Sequence, residues 1–360
     1  MFYTQDVPGS NPGVPSLKTN TFVPAIIVFF AFFAAALILL LIGRNPLGMF
    51  QVILQTASGF DSTRGWNARF IGEWLVLAIP VILCGLSVGF SARCGLFNLG
   101  AEGQYIAGLT AAQIIALTFP QIFALHLAVA VLGAIIAGAV WGSIAGLLKA
   151  RFKVSEVIST IMMSYIALHI HRLVTIRIPG SSIFRTSDFP GTVSLSNSIL
   201  AAITNNSRLN NGLWFAFLAV IFYWLIMKKN TLGKSLRAGI RVKTNITIAM
   251  AISGAFAGLA GAVVTLSMFS YGRVLTTFDG YGFAGIAAAL AGNASALGTM
   301  IMGLLFGILK SAEPMMPFRQ IPGEIIPVIT GLIVVFVSMR PGVKIIKNWL
   351  KKVKVSKDEI

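Results

Sequence analysis

Charged residues are scarce in this 360-residue chain, at 11% of the sequence, whereas hydrophobic residues make up 56%. A water-soluble domain carries roughly a quarter of its residues as charged side chains, so that class is excluded. The two cysteines, Cys84 and Cys94, have no metal or redox spacing. His169 and His171 lie two residues apart, so they face different sides of a helix and cannot form a metal pair. The sequence predicts an integral membrane protein with no disulfide framework, metal site or catalytic residue.

Two glycine motifs resemble nucleotide-binding signatures by their letters alone. Gly233-Lys234-Ser235 resembles the end of a P-loop, but Lys228 stands where the first glycine belongs. Gly280, Gly282 and Gly285 satisfy G-x-G-x-x-G without the preceding strand and βαβ unit that give the pattern its meaning. We therefore expect that the chain hydrolyses no nucleotide and carries no cofactor of its own.

Apolar runs of membrane-spanning length recur along the chain. A bilayer core of about 30 Å requires about 20 apolar residues in a helix. The long runs that meet or approach this requirement are 23–43, 72–91, 98–118, 122–149, 155–174, 212–228, 246–269, 295–311 and 324–340. A further apolar segment, 281–292, is too short to cross unaided at about 1.5 Å per residue.

The distribution of positive charge decides whether the short segment crosses. Loop 228–244 holds six cations and no acid, and the tail 340–360 holds seven, so both are predicted to be cytoplasmic. An even number of crossings must separate them, and only three long runs lie between. Segment 281–292 supplies the fourth crossing as a short or broken helix buried among its neighbours. We predict an all-α protein of about ten membrane helices with 44–71 and 175–211 outside.

The chain is predicted to form one membrane domain without a soluble partner domain. Residues 1–22 form a cytoplasmic segment, 23–340 the membrane domain and 341–360 a basic cytoplasmic tail, which places both termini in the cytoplasm. The chain has a net charge of +17, but its cationic residues flank apolar helices instead of covering one folded face. We therefore expect membrane lipids as partners and no nucleic acid.

Glycines recur every four residues in three of the predicted helices. The three sets are Gly138, Gly142 and Gly146, then Gly254 and Gly258, and then Gly303 and Gly307. Glycine faces of this kind let helix backbones approach closely. The pattern favours packing inside the bundle, with contact between two copies of the chain as the alternative.

A more specific pattern follows the second predicted span. The run Gly95-Leu-Phe-Asn-Leu-Gly-Ala-Glu-Gly-Gln104 closely resembles permease subunits of the nucleoside group of ABC importers, which are relatives of ribose (simple-sugar) and branched-chain amino acid permeases. The blocks 155–163, 231–238 and 249–261 and the glycine-rich segment 280–292 agree. The resemblance implies a type II importer fold with ten helices, the number that the charge argument gives separately.

Partners and location follow from the same resemblance. It implies that two permeases pair, as a homodimer or a heterodimer, in the bacterial cytoplasmic (inner) membrane. A cytoplasmic ABC ATPase would bind ATP and Mg²⁺, and an extracytoplasmic solute-binding protein would deliver the solute. A sugar or branched-chain amino acid solute remains an alternative, as does an ion-coupled secondary carrier. Such a carrier usually needs a deep carboxylate or histidine relay, and Glu102 is the one acid that we predict inside a span, at a depth that the sequence leaves open.

The resemblance also implies where the ATPase docks. In this family the loop between spans six and seven contacts the ATPase, and the candidate coupling residues are Lys228, Lys229, Lys234, Ser235, Arg237, Arg241 and Lys243. One departure stands out, because Ala238 runs straight into Gly239-Ile240 where the family continues through a longer coupling helix. Whether this subunit couples directly therefore stays open.

Side chains that could recognise a nucleoside lie in two blocks. The candidate residues of the substrate pathway are Phe97, Asn98, Glu102, Gln104, Tyr281, Phe283 and Asn293. Amide groups can hydrogen-bond a base or a ribose, and aromatic rings can stack on a base. From the sequence alone, we expect Asn98→Leu and Glu102→Ala to impair uptake while the protein still assembles.

Overall fold

The computed structural model describes residues 22–61, 65–122, 125–229 and 242–339. Within these ranges the α-helices are α1 Phe22–Leu41, α2 Pro46–Ser58, α3 Ala68–Arg93, α4 Ala101–Thr118, α5 Leu125–Phe152, α6 Glu156–Thr175, α7 Ser198–Ile203, α8 Gly212–Lys229, α9 Val242–Ser267, α10 Tyr281–Ala291, α11 Ala296–Ala312 and α12 Ile325–Ser338. The 3₁₀ helices are Gly191–Val193 and Glu313–Arg319. The predicted terminal segments 1–22 and 341–360 lie almost entirely outside the described residues.

Two short antiparallel strand pairs lie in the connections between helices. Strand β1, Phe60–Asp61, pairs with β2, Gly65–Trp66. Strand β3, Arg185–Asp188, pairs with β4, Tyr271–Arg273, and so ties the connection after α6 to the connection after α9. With so little strand, the predicted all-α class is confirmed.

Each of the ten predicted segments coincides with one helix, including the short one. Helix α10 has 11 residues, which is about 16 Å at 1.5 Å per residue. By length and composition, the described helices able to cross a membrane are Ala68–Arg93, Leu125–Phe152, Glu156–Thr175, Lys243–Ser267 and Ala296–Arg319. The shorter apolar helices are Ile26–Leu41, Gly212–Lys228, Tyr281–Ala291 and Ile325–Val337. The chain is therefore a multi-pass membrane protein.

Helix α2 corrects the expectation that 44–71 is only an external connection. The Asn45 side chain accepts a hydrogen bond from the Leu47 N–H, and Pro46 occupies the first helical position, both of which favour a helix start. Gly59 ends the helix in the left-handed conformation at φ 74°. The helix buries one narrow face formed by Met49, Val52 and Thr56, so the sequence signal is amphipathic and not continuously apolar.

The closest helix packing lies between α5 and α9. A Cβ atom built on Gly254 would overlap the carbonyl oxygen of Gly138, and one built on Gly138 would overlap the carbonyl oxygen of Gly254. Gly258 lies in the same way against the carbonyl oxygen of Ala134. Main chains in direct contact gain dispersion energy that a larger side chain would remove. The prediction that these glycines pack inside the bundle is confirmed.

Gly254→Ala is expected to destabilise the protein although alanine is the better helix former. Alanine gains about 1 kcal/mol in helix propensity, but the overlap with Gly138 forces α5 and α9 apart, which typically costs about 1–3 kcal/mol. The matched control is Gly331→Ala in α12, where an added Cβ meets no atom within 4 Å. Thermal stability in detergent should fall only for Gly254→Ala, and an equal response of both variants would contradict the packing argument.

Candidate functional site

Two helices begin inside the protein instead of at its surface. The segment between α3 and α4 turns back into the bundle, and its residues Leu96, Asn98 and Gly100 are buried. Asn98 reaches Ser87, which lies six residues before the end of α3 and therefore about 9 Å along the helix axis. Irregular backbone at this depth is tolerated only where protein or a water-filled path surrounds it. The starts of α4 and α10 meet at this point.

A buried amide and hydroxyl network holds the re-entrant segment. The Nδ2 atom of Asn98 donates to Gln104 Oε1 at 2.9 Å and to Ser253 Oγ at 2.8 Å. Asn98 Oδ1 accepts from the Gly100 N–H at 2.8 Å. The hydroxyls of Ser87 and Ser253 are 2.9 Å apart, and Ser253 donates to the Ser87 carbonyl at 2.7 Å. Four elements are therefore joined by side chains that water does not reach.

The Glu102 carboxylate lies at the start of α10 and is fully buried. Its Oε1 atom accepts from the Gly280 N–H at 2.8 Å, and Oε2 accepts from the Gly282 N–H at 2.5 Å. These amide groups have no partner within the helix, and the amino end of a helix carries partial positive charge. Glu102 thus caps α10 from a different helix. A Cβ built on Gly282 would overlap Glu102, so glycine is required for the approach.

An ion-pair cluster fastens the connection between α9 and α10. Arg273 donates two hydrogen bonds to Asp279, at 2.9 and 2.5 Å. Tyr105 donates its hydroxyl to Asp279 Oδ2 at 2.7 Å, and Lys310 donates to the Asp279 carbonyl at 3.0 Å. Burial opposes the charge on Arg273, but the hydrogen bonds and charge of Asp279 outweigh it and raise the pKa of the guanidinium. The cluster therefore favours the charged form of the guanidinium.

Three polar side chains extend this cluster to α6 and α4. His171 is buried, and its Nε2 atom lies 3.1 Å from the Arg273 carbonyl. Its Nδ1 atom lies 2.8 Å from the Thr110 hydroxyl. Gln113 donates to the Arg273 carbonyl at 3.2 Å. His169 is exposed whereas His171 is buried, so the prediction that they face different sides is confirmed.

The predicted pathway residues divide into buried and exposed groups. Asn98, Glu102 and Gln104 are fully or almost fully buried and bonded to protein, and Tyr281 is 6% exposed, with its hydroxyl 3.8 Å from the Met268 sulfur. This geometry argues against the expectation that Asn98→Leu and Glu102→Ala leave assembly intact, because each would strand buried partners. Their contact with solute stays a prediction.

The remaining pathway candidates, Phe97, Phe283 and Asn293, are exposed. Asn293 and the following Ala294 have left-handed backbones, with φ of 55° and 49°. Their carbonyl groups accept from Arg93 at 3.0 and 2.8 Å, so the far end of α10 is tied to the end of α3.

The coupling candidates fall mostly beyond the described residues. Lys234, Ser235, Arg237 and Arg241, together with the departure at Ala238, lie outside the described ranges. Lys228 is the last residue but one of α8, with its Nζ atom 5.7 Å from the centre of the Trp224 ring. Lys229 is the last residue of α8, and Lys243 is exposed at the start of α9.

Sequence reasoning missed Ser87, Ser253, Tyr105 and Arg273, which complete the two buried networks. Small hydroxyl residues within glycine- and alanine-rich helices resemble ordinary packing residues, so they carry little signal alone. The pairing of Asp279 with Arg273 could have been predicted, because only six residues separate them and the chain has only 11 acids.

Comparison with known proteins connects this arrangement to transport. The family described as "Branched-chain amino acid transport system / permease component" matches residues 70–338. The guanosine ABC transporter permease protein NupP of Bacillus subtilis is 38% identical over 93% of this chain and 97% of that protein. The nucleoside ABC transporter permease protein NupB of Lactococcus lactis is 33% identical over 93% of this chain and 95% of that protein. No solved structure matches this chain.

Proposed function

This chain belongs to the family of branched-chain amino acid transport system permease components, and from that premise we propose that it carries nucleosides as the permease subunit of an ABC importer. One observation carries the substrate class: two relatives named for guanosine or nucleoside transport match 93% of the chain at 38% and 33% identity. The chain itself is a transport subunit and not an enzyme. ATP and Mg²⁺ would be bound by a separate cytoplasmic ATPase.

The proposed topology has ten crossings, the type II importer fold and both termini in the cytoplasm, with 23–340 as one membrane domain. Contacts at the two ends of α10 support the tenth crossing. The connection before α10 pairs with the predicted external connection 175–211 through β3 and β4. The residues after α10 bond Arg93, which is predicted to be cytoplasmic. Helix α10 has only 11 residues, so the residues on either side of it would complete the crossing.

The proposed pathway includes the seven sequence candidates, with different duties. Phe97, Phe283 and Asn293 are exposed and available to a solute. Asn98, Glu102 and Gln104 would act behind this surface by holding the starts of α4 and α10 in place. A buried polar layer that fixes the residues in contact with solute is a common arrangement in binding sites.

The proposed assembly contains a second permease, an ATPase pair and an extracytoplasmic solute-binding protein in a bacterial cytoplasmic membrane. The ATPase would dock on 228–244, where six cations would meet an acidic surface or anionic lipid. The permease pair is either homomeric or heteromeric.

Uptake of labelled guanosine tests the proposed function. Cells that lack this chain but retain its ATPase and binding protein should lose uptake and regain it with the wild-type chain. Excess unlabelled nucleosides should compete, whereas ribose, glucose and leucine should not. Uptake that persists when ATPase activity is abolished and follows an ion gradient would contradict the assignment as an ABC importer. Competition by glucose or leucine alone would show that the solute is a sugar or an amino acid instead of a nucleoside.

Labelling of single cysteines tests the ten crossings. In a chain whose Cys84 and Cys94 are replaced by alanine, Ser194→Cys should react with a membrane-impermeant maleimide in intact cells. Asn293→Cys should react only after the membrane is permeabilised, because the two exposed positions lie on opposite sides of the proposed topology. Reaction of Asn293→Cys in intact cells would remove α10 from the crossings.

A further inference from the structure

Three aromatic side chains form a continuous surface beside the starts of α4 and α10. The rings of Tyr165 and Phe278 meet edge to face with centroids 5.0 Å apart, and those of Phe278 and Phe283 do so at 5.7 Å. Tyr165 is 51% exposed and Phe283 is 46% exposed. We call these three residues the aromatic face. The three rings support one another by contact, while the rings of Tyr165 and Phe283 remain partly exposed.

Tyr165 of the aromatic face lies near the middle of its helix. Tyr165 is the tenth of the 20 residues of α6, so about 15 Å of helix separates it from either end. The neighbouring Ser164 accepts a hydrogen bond from the Gly103 N–H at 3.3 Å, at the start of α4. Phe283 follows Gly282, which Glu102 holds. Both interrupted helices therefore present their starts next to this face.

Two polar groups of α6 lie along the edge that carries Tyr165. Within the described residues, the Tyr165 hydroxyl has no hydrogen-bond partner, and His169 is exposed one turn further along the same side. An unpaired hydroxyl in hydrocarbon costs several kcal/mol, and tyrosine normally lies at the membrane surface. Ile166 and Ile170 are rotated by about 100° from these residues and supply the apolar, lipid-compatible side of the helix.

We propose that the aromatic face is a stacking site for the base of the transported nucleoside, a role that rests on the proposed function. Phe283 and Tyr165 offer exposed rings, and Phe278 fixes their positions through two edge-to-face contacts. The Tyr165 hydroxyl gains a partner in the solute or its water. Both outer rings are exposed in the single chain, so the second permease subunit would complete the site. Stacking accepts any base, which predicts a site that selects for a base and not for one nucleoside.

The test measures the half-saturation concentration for labelled guanosine in cells that contain the complete importer. Tyr165→Ala and Phe283→Ala are each expected to raise it by about tenfold, because a lost base–aromatic stack has about this effect. Tyr165→Phe and Phe283→Tyr keep a ring and should remain within about threefold of wild type. Phe217→Ala removes an equally exposed ring from α8 and serves as the control. All values are corrected for the amount of permease in the membrane.

The outcomes separate this inference from the proposed function. Wild-type cells without guanosine uptake would overturn the proposed function together with the inference. Wild-type uptake with unchanged half-saturation in both alanine variants would overturn the stacking site alone. A loss of dimer in Tyr165→Ala with normal guanosine affinity in the remaining dimer would identify the face as a subunit contact and would also overturn it. If the alanine variants do not assemble, Tyr165→Leu and Phe283→Leu replace them with the same expected loss.

Discussion

Replacement of Glu102 by leucine is expected to remove most of the folded protein from the membrane. The substitution leaves the N–H groups of Gly280 and Gly282 buried without an acceptor. Each unsatisfied buried group costs about 1–3 kcal/mol, so the two groups together cost about 2–6 kcal/mol. A total of several kcal/mol is a large fraction of the stability of a typical domain. The amount of monodisperse protein in detergent and its unfolding temperature measure the effect.

Two glutamine variants form the control for this result. Glu102→Gln keeps one acceptor oxygen and should lie between wild type and Glu102→Leu in stability. Glu324→Gln changes an exposed glutamate that makes no side-chain cap at the start of α12, so it should match wild type. If Glu102→Leu folds normally but transports nothing, the carboxylate contacts the solute, and the expectation drawn from the sequence would be right.

Arg273→Met is expected to have a comparably large effect. The side chain of Asp279 is only 14% exposed and keeps its hydrogen bond from Tyr105, but it loses the two bonds from the guanidinium. Removal of one partner from a buried ion pair typically costs about 3–5 kcal/mol, because the other charge is left uncompensated. The unfolding temperature in detergent should fall by many degrees, and uptake should fall with the amount of folded protein.

A matched ion pair and a double variant check the cause. Arg185 and Asp188 lie in β3, beside Arg273, but are 57% and 69% exposed at an N–O separation of 3.9 Å. Arg185→Met should therefore change stability by about 1 kcal/mol or less. Adding Asp279→Asn to Arg273→Met removes the stranded charge and should recover part of the stability. Without recovery, the loss arises from packing of the Arg273 side chain against Phe269 and not from charge.

The sequence could predict the helices, including the least obvious one. Segment 281–292 is too short for a span, but counting cations in 228–244 and 340–360 requires another crossing there. The structure has α10 in this place. Helix α2 was missed because its 13 residues bury only a narrow face, and a search for continuous apolar runs does not detect such a pattern.

The bonding of the site could not be predicted. Glu102 accepts from main-chain N–H groups 178 and 180 residues away, and every residue except proline has such a group. The contact is possible only because Gly282 has no Cβ atom. A glycine in an apolar sequence does not by itself indicate such a contact. The sequence did identify Asn98, Glu102 and Gln104 as unusual polar residues in an apolar helix. Whether they touch the solute or hold the helices depends on distances that only the fold provides.

Helix α9 links the end of the basic loop to the buried amide and hydroxyl network. It starts directly after the undescribed part of the basic loop and lies backbone to backbone against α5 at Gly254 and Gly258. One residue before Gly254, Ser253 is bonded to both Asn98 and Ser87. Because main chains in direct contact leave little room for side chains to adjust, we expect a displacement of α9 to move the segment that precedes α4 as well.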